Sequence, residues 1–221
     1  MQSPEQNTTS LIKAVLFDLD GVLIHSYDAW FRLFNDALEH FGYPRISESV
    51  FRKHWGQSTQ QDIKIFMPGR TINEVREYFT DYYSTYLSYI ALDPYALPVL
   101  QYLQTRSLRL GCVTNSHRDI TETILREHGL LDFFTVILTA DDVVQPKPAP
   151  EILVAACTQL QVQTHNVVFV GDTQTDIEAG TRAGCIMVGY RIRHSINVQN
   201  LIQLQNMVEK MIDHHQSNSA R

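Results

Sequence analysis

Cysteine is scarce in this chain: Cys112, Cys157 and Cys185 are the only three in 221 residues. They are single and widely spaced, which excludes a disulfide frame or a zinc site and predicts reduced, buried thiols in a cytoplasmic protein. Basic clusters are missing too. The 18 Lys and Arg are outnumbered by 24 Asp and Glu, for a net charge of −6. Nothing resembles a stripe that tracks phosphate backbones, so nucleic acid is not an expected partner. No apolar run approaches membrane-spanning length. Residues 1–10 lack the basic-then-apolar pattern of a secretory signal, and a cytoplasmic location is expected. Internal repeats and low-complexity tracts are absent. What is there is ordinary globular composition, 44% hydrophobic and 19% charged. The length suits one large domain or a domain with a sizeable insertion.

The chain is organised around Lys13-Ala-Val-Leu-Phe-Asp18-Leu-Asp20-Gly21. Ala14 to Phe17 is a short bulky apolar run, the pattern of a buried strand. It ends on Asp18, and Asp20 follows, so two carboxylates stand at the carboxyl end of an expected central strand. Open α/β sheets bind ligands there. From Tyr27 the period becomes helical: Trp30, Phe34, Ala37, Leu38 and Phe41 share a face, and Gly42-Tyr-Pro44 stops the helix. Short helices are predicted over 47–55 and 58–66. Thr71-x-x-Glu74 reads as a capping box opening a long helix whose apolar face continues to Ile90. After Asp93-Pro94 the pattern alternates. Strands are predicted over 108–113, 134–138, 167–170 and 186–188, with helices over 95–106, 118–128, 148–161 and 175–183 and a last one marked by Leu201, Leu204, Val208 and Met211. The ends, residues 1–11 and the polar tail from Asp213, read as loose. Alternating strands and helices imply a parallel sheet. The expected fold is α/β: a doubly wound, Rossmann-like core over 1–24 and 94–221, with an all-helical unit over 25–93 inserted after the first strand and placed as a lid.

Four polar clusters fall just past expected strand ends: Asp18 with Asp20, Thr114 with Asn115, Lys147, and Asp172 with Asp176. Parallel strands bring such ends to one edge of the sheet. Several carboxylates at one point suit a hard cation, and Mg²⁺ takes a few carboxylates plus water and phosphate oxygens. A hydroxyl, a backbone amide and a lysine beside them suit an oxyanion. The combination favours phosphoryl transfer, because a phosphate monoester repels an anionic nucleophile until its charge is neutralised.

Asp18-Leu-Asp20-Gly-Val-Leu, Thr114-Asn-Ser, Lys147-Pro-Ala-Pro and Gly171-Asp172-Thr-Gln-Thr-Asp176 resemble, in order, the four motifs of the haloacid dehalogenase superfamily. The resemblance spans residues 13 to about 190, and the insertion resembles the helical cap of the phosphoglycolate phosphatase-like subgroup. It implies an Mg²⁺-dependent phosphatase acting on a small phosphorylated metabolite, the chain itself being a monomer or homodimer. Asp18 would attack phosphorus and form an aspartyl-phosphate. Asp20 would act as general acid and then base. Thr114 and the Asn115 amide would bind phosphoryl oxygens, and Lys147 would neutralise charge. Mg²⁺ would be held by Asp18, the Asp20 backbone carbonyl and Asp172, with Asp176 supporting the water shell or orienting Lys147.

The subgroup usually carries aspartate where this chain has His25. His25 is a candidate for contacting substrate or tuning the hinge, although a merely solvated or hydrogen-bonded histidine is the commoner case. Gln57 and Ser58 sit where the subgroup places substrate contacts. Asp141 and Asp142 are read as capping a turn, and Arg191 and Arg193 as loop residues. Two alternatives stand beside the phosphatase. One is a phosphomutase of the β-phosphoglucomutase type, although Gly171-Asp172-Thr173 resembles the hydrolase form of the fourth motif. The other is a non-catalytic signalling module, against which Lys147 preceding Asp172 weighs, since receiver domains place their lysine last.

Overall fold

All four residues of β1, Ala14–Phe17, are fully buried. The computed structural model describes residues 12–219, with side chains as far as Asp213; the arm expected over 1–11 lies outside the described residues. After β1 the chain turns into β2, Ile24–His25, and leaves the sheet. Four helices follow: α1 Tyr27–His40, α2 Glu48–His54, α3 Thr59–Phe66 and α4 Ile72–Tyr82, then a 3-10 segment over Tyr83–Tyr89. The Thr71 capping box opens α4: Glu74 Oε2 accepts from the Thr71 amide at 2.7 Å and Thr71 Oγ1 from the Glu74 amide at 3.3 Å. The helix expected to reach Ile90 tightens at Tyr83. The run Tyr82-Tyr-Ser-Thr-Tyr86 is poor in strong helix formers, and Tyr83 is fixed by packing against Trp30, ring centroids 5.0 Å apart.

The insertion was expected to hold no strand. It ends instead in β3, Ala91–Leu92, which pairs antiparallel with β2, Ile24 opposite Leu92. Two-residue strands are too short to show alternation in sequence. The pair narrows the connection to a neck, reinforced by the Asp93 amide bonding Leu23 O at 2.9 Å.

The remaining elements are α5 Ala96–Thr105, β4 Arg109–Val113, α6 Arg118–Glu127, β5 Val136–Leu138, α7 Glu151–Gln159, β6 Val167–Gly171, α8 Gln174–Ala183, β7 Ile186–Tyr190, β8 Asn197–Val198 and α9 Leu201–Ser219. β8 is another two-residue strand that left no sequence signal. The tail expected to be loose from Asp213 continues α9 in its backbone: once Leu201, Leu204, Val208 and Ile212 bury their face, adding further turns is easy. The sheet is parallel throughout, in the order β5-β4-β1-β6-β7-β8.

Side chains alternate along β1 as the pleat requires. Ala14 and Leu16 pack with Ile152, Leu153 and Ala156 of α7 and Ala179 of α8, while Val15 and Phe17 share the other layer with Val99 and Leu103 of α5 and Leu204 of α9. The three cysteines are free, Cys112 and Cys157 buried and Cys185 half-buried. Spacing did not show that the Cys157 and Cys185 thiols hydrogen-bond each other, which holds Cys157 below the usual thiol range and Cys185 above it. Among the described residues no helix is long and apolar enough to cross a membrane.

Candidate active site

The register of β4, β1 and β6 lines up their carboxyl ends, and the polar clusters that follow them meet. Asp18 continues the ladder, its amide bonding Val170 O at 2.9 Å, and its side chain is buried. Lys147 arrives from the loop after β5. It is 2% exposed, and its Nζ donates to Asp18 Oδ1 at 2.7 Å, Asp176 Oδ1 at 2.7 Å and Val113 O at 3.1 Å. Its three N–H groups are thus all committed. Burial works to lower the lysine, but the charges of Asp176 and Asp18 outweigh it and hold it above the usual range.

Asp176 lies in the first turn of α8 and closes a capping box: its Oδ2 accepts from Thr173 Oγ1 at 2.5 Å and from the Thr173 amide at 3.1 Å. Asp172 follows β6. Its Oδ1 is buried with no hydrogen-bond partner among the described residues, and its Oδ2 accepts from Trp55 Nε1 at 3.3 Å. One oxygen each of Asp18, Asp172 and Asp176 lies within 4.8 Å of the others. Crowded, buried carboxylates resist ionisation. Asp18 is held well above its ordinary value, by burial first, with Lys147 opposing and the neighbouring aspartates adding to the rise. Asp172 is pushed up to about 7, by burial and then Asp176. Gly21 makes this crowding sterically feasible: it sits at φ +86°, and a Cβ there would stand 2.1 Å from Asp172 Oδ2.

Asp20 is turned away from that cluster. Its Oδ1 accepts from Ser26 Oγ at 2.5 Å and Trp30 Nε1 at 2.9 Å, and its Oδ2 from Ser116 Oγ at 2.8 Å. Thr114 is buried and lines the same cavity. The Asn115 side chain is used structurally. It joins the Lys147 backbone in both directions at 2.9 Å and donates to Gly56 O of the insertion at 3.0 Å. Gly56, at φ +85°, rests on Thr173, whose Cγ2 would be 2.6 Å from an added Cβ. His117 makes another contact between the insertion and the core, with Nε2 2.9 Å from Thr59 Oγ1 and Nδ1 2.9 Å from Asp141 Oδ1.

These groups open into one shared cavity. Asp18, Asp20, Thr114, Asn115, Ser116, Lys147, Thr173 and Asp176 line one side, and Trp30, Phe34, Phe51, His54, Trp55, Gly56, Gln57, Thr59, Asp62 and Phe79 of the insertion line the other. Of the residues singled out in the insertion, Gln57 lines this cavity. Ser58 is buried and is not among the lining residues, its amide bonded to Gln61 at the start of α3. His25 is not among the lining residues; it lies at the neck, Nε2 3.4 Å from Asp93 Oδ2. Asp141 and Asp142 are engaged by His117, Arg118 and Thr139, away from the carboxylate cluster. Arg191 bonds Gln199 O in its loop. Sequence reasoning passed over Trp30, Trp55, Ser26, His54 and Asp62. One signal was available: the chain has only two tryptophans, both in the insertion, and a buried indole N–H needs an acceptor.

A family model described as haloacid dehalogenase-like hydrolase matches residues 15–190. The chain is 32% identical over 186 residues to the phosphoglycolate phosphatase of Yersinia pseudotuberculosis, covering 80% of each protein. It is 33% identical over 180 residues to the pyrophosphatase PpaX of Bacillus pumilus, covering 81% of this chain and 83% of that one. In fold it is similar to a β-phosphoglucomutase from Clostridium difficile, with a TM-score of 0.81 at 20% identity over 93% of this chain and 99% of the other. With motifs, sheet order and site geometry in agreement, the chain belongs to the haloacid dehalogenase-like hydrolases.

Proposed function

We propose that this phosphoric monoester hydrolase is Mg²⁺-dependent and releases phosphate from a small metabolite through an aspartyl-phosphate on Asp18. The carrying observation is a cluster of three carboxylates, two of them bonded to one fully engaged buried lysine, beside an aspartate held apart by three donors. The donor set suits Mg²⁺: all hard oxygens, with Asp172 Oδ1 buried and unpartnered among the described residues. Asp18, the Asp20 carbonyl and Asp172 would hold the ion, which would supply charge neutralisation at the phosphoryl group. Asp176 has both oxygens occupied and is assigned to orienting Lys147.

Asp18 Oδ1 is held by Lys147, leaving Oδ2 to attack phosphorus as the ester P–O bond breaks. Asp20 gives its proton to the departing alcohol oxygen. Water then attacks the same phosphorus, Asp20 takes its proton, and phosphate leaves with Asp18 restored. The Ser26 and Ser116 hydroxyls can reverse their hydrogen bonds as Asp20 changes protonation, whereas the Trp30 indole only donates and fixes the carboxyl's orientation. Thr114 and the Asn115 amide are assigned to the phosphoryl oxygens. Residues 1–24 and 94–221 act as the core and 25–93 as a lid that excludes water. The free thiols fit a cytoplasmic location. The test is phosphate release from a panel of phosphomonoesters with Mg²⁺ and with EDTA. Metal-dependent release is expected; release unaffected by EDTA would refute the metal's role, and bisphosphate-activated isomerisation without release would replace the hydrolase by a mutase.

A further inference from the structure

The insertion's side of the cavity carries polar groups that the proposed reaction does not use. Asp62, in α3, lines the cavity half-buried, and its carboxyl makes no hydrogen bond or ion pair among the described residues. Gln57 and His54 line it as well, and their Oε1 and Nδ1 atoms are buried without a hydrogen-bond partner among the described residues. The rings of Trp30, Phe34 and Phe79 line the same cavity.

Charge is the second observation. Among the described residues lining the cavity, the only Lys or Arg is Lys147, and its N–H groups are spent on Asp18, Asp176 and Val113. A substrate carboxylate or second phosphate would therefore leave water with no Lys or Arg free to meet it, beside an Asp62 carboxyl whose own charge burial already disfavours, pushing it up to about 8. Desolvating an unpaired charge is costly. A hydroxyl or amine faces the opposite situation. It brings donors to Asp62 and Gln57, which are acceptors in need of them, and an apolar ring face can lie on the aromatic wall.

We propose that Asp62, with Gln57 and His54, is a specificity determinant that selects a leaving group rich in hydrogen-bond donors and free of a second anion, such as a sugar or amino-sugar monophosphate, over phosphoglycolate or pyrophosphate. The inference rests on the phosphatase reading above and narrows it. A unit of discrimination of this kind, a buried polar group left unpaired by the wrong substrate, is typically large.

The test compares kcat/KM of the Mg²⁺-loaded protein on glucose 6-phosphate, glucosamine 6-phosphate, phosphoglycolate and pyrophosphate, with p-nitrophenyl phosphate as a class-blind substrate. Sugar monophosphates are expected to exceed phosphoglycolate by roughly tenfold or more, and Asp62→Lys is expected to shrink that ratio at least as much by placing a cation on the wall. Phosphoglycolate or pyrophosphate equal to or better than the sugar esters would overturn the inference while leaving the phosphatase intact. An unchanged ratio in folded Asp62→Lys would also overturn it. No release from any ester, p-nitrophenyl phosphate included, would instead refute the phosphatase; calorimetric titration with glucose 6-phosphate and phosphoglycolate would then decide, tighter phosphoglycolate binding counting against Asp62.

Discussion

The indole N–H of Trp30, in the first helix of the insertion, reaches Asp20 Oδ1 at 2.9 Å. Trp55, at the end of the second, stands 3.3 Å from Asp172 Oδ2. Each of the chain's tryptophans thus spans from the insertion to a different aspartate of the core. An aspartate that must both give and receive a proton needs a fixed direction, and an indole that can only donate supplies one. Under the proposed mechanism the insertion therefore holds the acid–base group through two hydrogen bonds, from Ser26 Oγ and Trp30 Nε1, of which only the indole cannot reverse.

Trp30→Phe keeps the ring that packs on Tyr83 and Phe79 and deletes the donor. A hydrogen bond to a charged group contributes about 1.5–3 kcal/mol. The expected result is a fall in kcat of roughly ten- to a hundredfold if that whole contribution bears on the transition state, with KM nearly unchanged and a displaced pH–rate profile. A variant with wild-type kcat and profile would remove Trp30 from the mechanism.

On the proposed reading, metal and pH would act on the same carboxylates. Asp172 is pushed up to about 7, by burial and then by Asp176, and Asp18 is raised as well, by burial first. The unfolded chain releases these protons near pH 4, so between that value and about 7 the folded state binds more protons than the unfolded one. Stability without metal is then fully present below about pH 4 and falls as pH rises through about 7. Thermal melts in EDTA are expected to show Tm declining between pH 5 and 7.5, and Mg²⁺ to raise Tm more at pH 7.5 than at pH 5. An Mg²⁺ effect independent of pH would place the ion away from these aspartates.

The core of the site was legible because its residues follow strands. A buried parallel strand is an apolar run, the charge that ends it is conspicuous, and topology alone brings Asp18, Thr114 and Asp172 to one edge. Thr71 with Glu74 was legible for a similar reason, since both halves of a capping box lie within four residues. The contacts of Trp30 and Trp55 depend on how the insertion lies over the sheet, a relation that no local period carries. The same holds for Asp62. Nothing local marks it on a short helix of mixed polarity, and only the packing of α3 makes it a cavity-lining residue. Ile24–His25 and Ala91–Leu92 were hidden by brevity.

His25 shows how placement changes an expectation. At the neck it stands 3.4 Å from Asp93, which is fully buried, accepts from the Tyr190 hydroxyl at 2.8 Å and lies 3.6 Å from Arg191. His25→Asp would set a second carboxylate against a buried one, and like charges this close repel. A lower Tm is expected, partly recovered at high salt, while His25→Asn, which keeps a donor, stays near wild type. Because His25 is not among the cavity-lining residues, kcat/KM is expected to change far less than Tm. A selective loss of kcat/KM with unchanged Tm would return His25 to the substrate.

Asp18 and Lys147 separate catalysis from stability. The Asp18 charge is disfavoured by burial, so Asp18→Asn removes a group whose ionisation costs stability in the metal-free protein while keeping its size and one hydrogen-bonding oxygen. Turnover is expected to vanish, with Tm in EDTA at pH 7.5 equal to or above wild type. Lys147→Ala does the reverse to the same pair. It leaves Asp18 and Asp176, each bonded to Nζ at 2.7 Å, facing one another without their cation. Breaking a buried ion pair from one side costs about 3–5 kcal/mol, so this variant is expected to lose both activity and a large part of its stability, recovering some Tm at low pH as the carboxylates protonate. The two melts, read with the two rates, distinguish a nucleophile from a structural aspartate: Mg²⁺-dependent turnover surviving in Asp18→Asn would refute the nucleophile, and a Lys147→Ala protein as stable as wild type would mean that the carboxylates are already protonated in the folded state.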